Sequence, residues 1–263
     1  MAEMEAQDSP QRVRTLYLDL LKSCLLNTLY DDPAQAVKTP SGRRIPAAQA
    51  WDEGGRAWLT PAHTMIGRKR LENIQSCLES VLADNIIGDV IETGVWRGGA
   101  TIFMRGILKA YEVTDRLVWV ADSFEGLPRP DPKKHPADAG LNLHRIRQLA
   151  VSVETVQDNF SRYGLLDEQV RFLKGYFRET LPFAPIQKLA LLRLDGDLYE
   201  STMQSLTYLY PKVSPGGFVI VDDYHAIEPC RRAVHGYLDA HHLSVELQPV
   251  DWSAVYWRTP HAG

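Results

Sequence analysis

Apolar residues fall into two rhythms along the chain, and the change between them places the elements. From Val13 onward, Leu16, Leu20, Leu21, Leu25 and Leu29 recur at three- and four-residue spacing, which predicts an amphipathic helix. Asp31-Asp32-Pro33 ends it, because proline cannot continue a helix. Residues 33–63 hold Pro33, Pro40, Pro46 and Pro61, several glycines, and Trp51 and Trp58. Such a stretch is either a linker or an ordered cover, and the two tryptophans favour the cover. A second helix opens after Pro61, with Thr64 as its N-cap candidate and Leu71, Ile74, Leu78 and Val81 or Leu82 as its apolar stripe.

Beyond residue 88 short apolar runs alternate with helical stretches. Asp89–Glu92, Leu117–Ala121, Val170–Lys174, Leu189–Leu194 and Phe218–Val221 read as buried strands. Stretches near 100–110, 152–163, 201–213 and 228–240 read as helices. This alternation predicts βαβ units: a doubly wound, Rossmann-like α/β sheet, mostly parallel and covered on both faces. The end departs from it. Val245–Val250, a turn at Asp251-Trp252-Ser253 and Ala254–Trp257 predict a hairpin, hence an antiparallel C-terminal edge. The chain divides into a helical N-terminal extension with its cover, 1–63, and the α/β domain, 64–263. The extension is expected to cover the site and to supply a subunit contact in a homo-oligomer, a dimer.

Composition narrows the partners. With 44% apolar and 24% charged residues, the 263-residue chain is globular in composition, not a disordered polyelectrolyte. A net charge of −4 argues against nucleic acid or an anionic membrane as partner. No apolar run approaches the roughly 20 residues that span a bilayer, and the acidic, polar first residues do not read as a signal peptide. Cys24, Cys77 and Cys230 are scattered, as expected of reduced thiols in a cytoplasmic protein rather than a disulfide frame or zinc site.

A doubly wound sheet binds ligands beyond the carboxyl ends of its strands, so chemistry is sought there. The first strand runs into Glu92-Thr93-Gly94-Val95-Trp96-Arg97-Gly98-Gly99. Glycines at such a turn admit a ligand close to the backbone, at the positive end of the next helix; the plainer reading is a tight turn that binds nothing. The spacing is not that of a dinucleotide binder, and Trp96 stands where a pyrophosphate would need room. The second strand ends in Asp122-Ser123, a carboxylate placed to accept from ribose hydroxyls, or else a loop cap. Beyond the third, Phe177 is placed to flank an adenine or to pack in the core. Together these ends describe an adenosine-type ligand without a pyrophosphate, which S-adenosylmethionine fits.

The fourth strand delivers Asp195-Gly196-Asp197 and the fifth Asp222-Asp223-Tyr224-His225. Unpaired, these carboxylates would repel and raise one another's pKa. A hard cation relieves that, and all-oxygen ligation favours Mg²⁺ over zinc. Helix capping is the alternative, a role that Ser201 and Thr202 also suit. His225 borders the cluster and reads as packing or as a ligand contact. The polar loop at 131–140 reads as a lid or as a surface excursion.

The runs Glu92–Gly99, Ala121–Pro128, Arg193–Thr202 and Gly216–Tyr224 resemble the macrocin O-methyltransferase family, over roughly residues 13–257 and without departure in the motif residues. The resemblance implies a class I methyltransferase fold and transfer of a methyl from S-adenosylmethionine to a deoxysugar hydroxyl of a glycosylated antibiotic precursor, with Mg²⁺. Its aminocoumarin branch implies the 4-hydroxyl of noviose. Carried over by position, it implies metal ligands at Asp195, Asp222 and Asp223 and a general base at Asp197. It implies cofactor contacts at Thr64, Met65, Glu92, Thr93, Gly94, Val95, Trp96, Asp122, Ser123 and Phe177. The variable stretches 33–60 and 129–150 would choose the acceptor. The rival readings are a phenol or catechol O-methyltransferase, a nicotinamide-dependent oxidoreductase, and a non-catalytic adenosine-ligand sensor.

Overall fold

The apolar runs pair side by side in one sheet. The computed structural model describes residues 9–29 and 62–260, together with the backbone of a small ribbon in which Val37–Lys38 pairs antiparallel with Arg44–Ile45. The expected cover at 33–60 otherwise lies outside the described residues. The sheet has seven strands: β1 (Asp89–Thr93), β2 (Val118–Asp122), β3 (Val170–Lys174), β4 (Leu189–Leu194), β5 (Val213–Val221), β6 (Gln248–Pro249) and β7 (Val255–Arg258). Their order is β3-β2-β1-β4-β5-β7-β6. β1 to β5 run parallel, and β7 lies antiparallel to both β5 and β6, which makes the edge a hairpin as expected.

Successive side chains of a strand point to opposite faces, so a strand buried on both sides feeds two cores. Val90, Val118, Val120 and Ile220 enter one core with helices α1 (Pro10–Leu25), α2 (Arg68–Ala83), α3 (Gly99–Ala110) and α4 (Val153–Arg162). Ile91, Trp119, Ala121, Val219 and Val221 enter the other with α5 (Tyr199–Leu209) and α6 (Glu228–Ala240). The lone thiols stay free, and burial pushes that of Cys77 up to about 12. Among the described residues no helix is long and apolar enough to cross a membrane.

Two helix starts differ from expectation. α1 begins at Pro10, not Val13, because Ser9 caps it by accepting from the Arg12 amide. Its buried stripe is Leu18, Leu21 and Leu25, whereas Leu16, Leu20 and Leu29 are exposed and the helix ends before Leu29. The leucine spacing therefore mixes two faces. α2 begins at Arg68 behind Gly67, with no side-chain cap; the Thr64 hydroxyl accepts instead from the Ile66 amide at 3.3 Å.

Candidate active site

Register brings the strand ends together. Thr93 pairs with Leu194, and Leu194 with Val221, so the next residues, Gly94, Asp195 and Asp222, stand in a row at the carboxyl edge. The Asp195 amide still donates to the Thr93 carbonyl and the Asp222 amide to the Leu194 carbonyl, each at 2.9 Å. The row is tight: a Cβ on Gly94 would lie 1.8 Å from the Asp195 carbonyl oxygen, so only glycine fits. A cavity with about 720 Å³ of empty space, open solvent at its mouth included, lies above this edge. Met65, Gly94, Trp96, Asp122, Ser123 and Phe177 line it, with Asp195 and Asp197 beyond β4; Asp222 and Asp223, beyond β5, are not among its lining. Of the residues expected at the cofactor, Thr64, Glu92, Thr93 and Val95 are not among its lining.

On one side of the site the turn is locked by Asp122. Its Oδ2 accepts from the Val95 amide at 2.7 Å and its Oδ1 from the Phe124 amide at 2.8 Å. Burial raises the Asp122 pKa, and these backbone donors oppose the rise. The loop-cap role is thus real, and the carboxylate still lines the cavity. The Trp96 indole donates to the Gln148 carbonyl at 2.8 Å, which ties the glycine turn to the loop at 129–150. That loop is anchored from its middle: Asp138, fully buried, accepts from the amides of Tyr199 (2.7 Å) and Glu200 (3.0 Å). It is therefore Asp138, not Ser201 or Thr202, that caps α5.

On the other side, carboxylate oxygens of Asp195, Asp222 and Asp223 all lie within 4.8 Å of one another. Beneath them Arg193, wholly buried, contacts Glu92, Asp195 and Asp222. Arg70 contacts the other oxygen of Asp222 and also Asp251. Two guanidinium groups do not balance this many carboxylates. Burial, with Asp222 nearby, pushes Asp195 up to about 6. Burial and the charges of Asp197, Asp195 and Asp222 hold Asp223 well above the usual carboxylate range. Glu92 rises to about 8 by burial, with Arg193 opposing. Asp223 Oδ2 is buried without a hydrogen-bond partner. An orphaned oxygen among clustered hard donors is what a small divalent cation requires, so these residues fit one. Asp197 sits beyond Gly196 with φ 59°, in the left-handed region, and this turns the chain off the strand toward the cavity.

Sequence reasoning missed Arg193, Arg70 and Asp251. A charge inside the apolar run Leu189–Leu194, in register with Glu92, signals the first. The Arg70–Asp251 pair spans 181 residues and leaves no local signal. Arg178, Glu200 and Gln204 also line the cavity and were not singled out. His225 is exposed; its amide donates to the Ser253 carbonyl and its ring packs edge-on against Tyr224.

The macrocin-O-methyltransferase (TylF) family profile matches residues 14–259. The chain is 54% identical over 255 residues to the mycinamicin III 3''-O-methyltransferase of Micromonospora griseorubida, covering 95% of this chain and 98% of that one. It is 54% identical over 245 residues to the demethyldecarbamoylnovobiocin O-methyltransferase of Streptomyces niveus, covering 93% of each. The solved structure of the O-methyltransferase NovP superposes with a TM-score of 0.87 at 53% identity, over 94% of this chain and 100% of that one. Strand order, carboxyl-edge site and these likenesses agree: the chain has the class I methyltransferase fold and belongs to the macrocin O-methyltransferase family.

Proposed function

We propose that the chain moves a methyl group from S-adenosylmethionine to a deoxysugar hydroxyl of a glycosylated antibiotic precursor, with Mg²⁺ as its metal. One observation carries this reading: Asp195 lines the same cavity as Gly94, Trp96 and Asp122, and its carboxylate lies within 4.8 Å of those of Asp222 and Asp223. Met65, Gly94, Trp96, Asp122, Ser123 and Phe177 would contact the cofactor, with Asp122 accepting from its ribose hydroxyls. Thr64, Glu92, Thr93 and Val95 would support that wall from behind.

Asp195, Asp222 and Asp223 would hold the metal. Mg²⁺ there supplies the Lewis acidity that lets a weakly acidic aliphatic hydroxyl act as nucleophile. Asp197, on the same cavity wall, would take the hydroxyl proton. The loop at 129–150 would choose the acceptor, and the segment up to residue 63 would cover the site and join two copies in a dimer.

Within the acceptor class we place the 4-hydroxyl of noviose in an aminocoumarin first, supported by the likeness to the demethyldecarbamoylnovobiocin enzyme. Equal identity to the mycinamicin III 3''-O-methyltransferase favours the 3''-hydroxyl of a mycinamicin-type acceptor as the second reading. Labelled S-adenosylmethionine is the test, given with both kinds of acceptor and with simple catechols, in the presence and absence of chelator. Label on a sugar only when Mg²⁺ is present is the expected result. Full activity in excess EDTA, with no metal recovered, would sink the metal assignment, and label on catechol alone would sink the acceptor class.

A further inference from the structure

The C-terminal hairpin and the second helix meet at the metal-ligand cluster through one side chain. Arg70, in the first turn of α2, is buried. Its Nε donates to Asp251 Oδ2 at 2.7 Å, and its Nη1 donates to Asp222 Oδ2. Asp251 is itself fixed, because its Oδ1 accepts from the amides of Ser253 and Ala254, both at 2.9 Å. The same turn grips the end of β5. The Ser253 hydroxyl donates to the Asp222 carbonyl at 2.7 Å, and the His225 amide donates to the Ser253 carbonyl at 2.8 Å. Asp222 Oδ1 takes its hydrogen bond from Arg193. Asp222 therefore carries a guanidinium N–H on each oxygen, whereas its neighbour Asp223 keeps a buried oxygen with no partner.

We propose that Arg70 and Asp251 are a positioning pair that fixes the orientation of Asp222 as a metal ligand, making the hairpin turn a working part of the site. The proposal rests on reading Asp195, Asp222 and Asp223 as the metal site. Arginine is the residue the geometry needs. Its planar fork presents Nε and Nη1 to two carboxylates at once, which the single ammonium of lysine cannot do in fixed directions. Each carboxylate oxygen has a second lone pair, so Asp222 can hold its guanidinium partners and still offer an oxygen to a cation. Partners of this kind set ligand orientation, and their loss typically weakens metal binding roughly 10–100-fold.

The test is calorimetric titration of the full-length protein with Mg²⁺ alone, beside titration with S-adenosylmethionine in metal-free buffer. Arg70→Lys keeps the charge and loses the fork. Asp251→Asn keeps the Oδ1 acceptor for the turn and loses the ion pair. Each variant is expected to weaken Mg²⁺ binding roughly 10–100-fold while its affinity for S-adenosylmethionine stays that of wild type. The double variant should be no worse than the worse single one, because both break the same link. Wild-type Mg²⁺ affinity in folded Arg70→Lys overturns the proposal, and additive losses overturn the pairing. Should Arg70→Lys fail to fold, Asp251→Asn decides alone: weakened Mg²⁺ binding supports the pair and unchanged binding rejects it. If wild type itself takes up no Mg²⁺, the metal reading falls, and the proposal falls with it.

Discussion

The two sides of the site hold their carboxylates by opposite means. Asp122 is held by backbone amides, those of Phe124 two residues away and Val95 27 residues away. Asp222 is held by side chains, Arg193 at 29 residues and Arg70 at 152. An amide lends a carboxylate no countercharge, so Asp122 keeps its acceptor strength for neutral hydroxyl donors such as those of a ribose. A guanidinium fixes orientation and offsets part of the charge, which suits a ligand that must share a cation with its neighbours. On the proposed function, one side would recognise and the other would polarise.

The comparison breaks most visibly at Asp197, where the acidic end would do its chemistry. Asp197→Asn keeps the shape and removes the proton acceptor. The rate of methyl transfer should fall roughly 10²–10⁴-fold, with metal and cofactor affinities little changed. Single-turnover rates at saturating Mg²⁺ read this directly. Loss of metal affinity along with rate would make Asp197 a ligand, and near-wild-type methylation would reject it as the base.

The next test falls on the other side. Asp122→Ala removes the proposed ribose acceptor and leaves the Val95 and Phe124 amides unpaired. S-adenosylmethionine binding should weaken by about 1.5–3 kcal/mol, the range of charge-assisted hydrogen bonds. Calorimetric titration measures it. An unchanged dissociation constant would mean that Asp122 only caps its loop, and the contrast between the two sides would vanish.

That contrast also explains what could be read from the sequence. Parallel strands buried on both faces announce themselves as apolar runs, and their register then aligns Gly94, Asp195 and Asp222 with no further information. Local devices such as the Asp122 turn sit within or beside the motifs they serve. The long-range ones do not. Nothing near Arg70 points to Asp251 or Asp222, and nothing near Asp138 points to α5, 61 residues on. On α1 the leucines misled, because polar and apolar residues share both faces and burial selects Leu18, Leu21 and Leu25 over Leu16 and Leu20.

Asp138 gives a third, smaller test that joins the two sides. It caps α5, the helix that follows Asp197, from a loop that also receives the Trp96 indole. Asp138→Ala should cost about 1 kcal/mol of stability, as loss of an N-cap does. It should also loosen the acceptor loop, raising the acceptor KM more than that of the cofactor. Chemical denaturation and steady-state kinetics separate the two effects. A stability loss with unchanged acceptor KM would leave the loop outside acceptor binding.

The smallest expected effect lies in the pH dependence of stability, where His63 and the acidic cluster pull in opposite directions. His63 lies against the start of α3, its carbonyl so near Gly99 that a Cβ there would sit 2.4 Å away. Burial, then Arg162 and Arg97, lowers its pKa below 6.5, and the ring nitrogen Nδ1 shares a 2.7 Å hydrogen bond with the Tyr163 hydroxyl. Below pH 6.5 the unfolded chain then binds more protons at this position than the folded one, so stability falls as pH drops through that window. Glu92 has the reverse sign. Its folded pKa of about 8 lies above the ordinary 4.5, so the folded state holds the extra proton and loses stability as pH rises from 4.5 through 8. Asp195, raised from 3.8 to about 6, adds to that loss at the lower end. The windows overlap below pH 6.5, where the His63 gain offsets part of the carboxylate loss, so the melting temperature of metal-free protein should fall most clearly between pH 6.5 and 8, where Glu92 acts without that offset. His63→Gln should remove that offset and steepen the fall with pH below 6.5, leaving the slope above 6.5 unchanged. Mg²⁺ should raise the melting temperature more at pH 8 than at pH 6, because the cation takes the place of protons at the acidic end. Thermal melts from pH 5 to 8.5, with and without Mg²⁺, read both slopes. A slope below pH 6.5 unchanged by His63→Gln would move the offset elsewhere, and a Mg²⁺ shift independent of pH would separate the cation from these carboxylates.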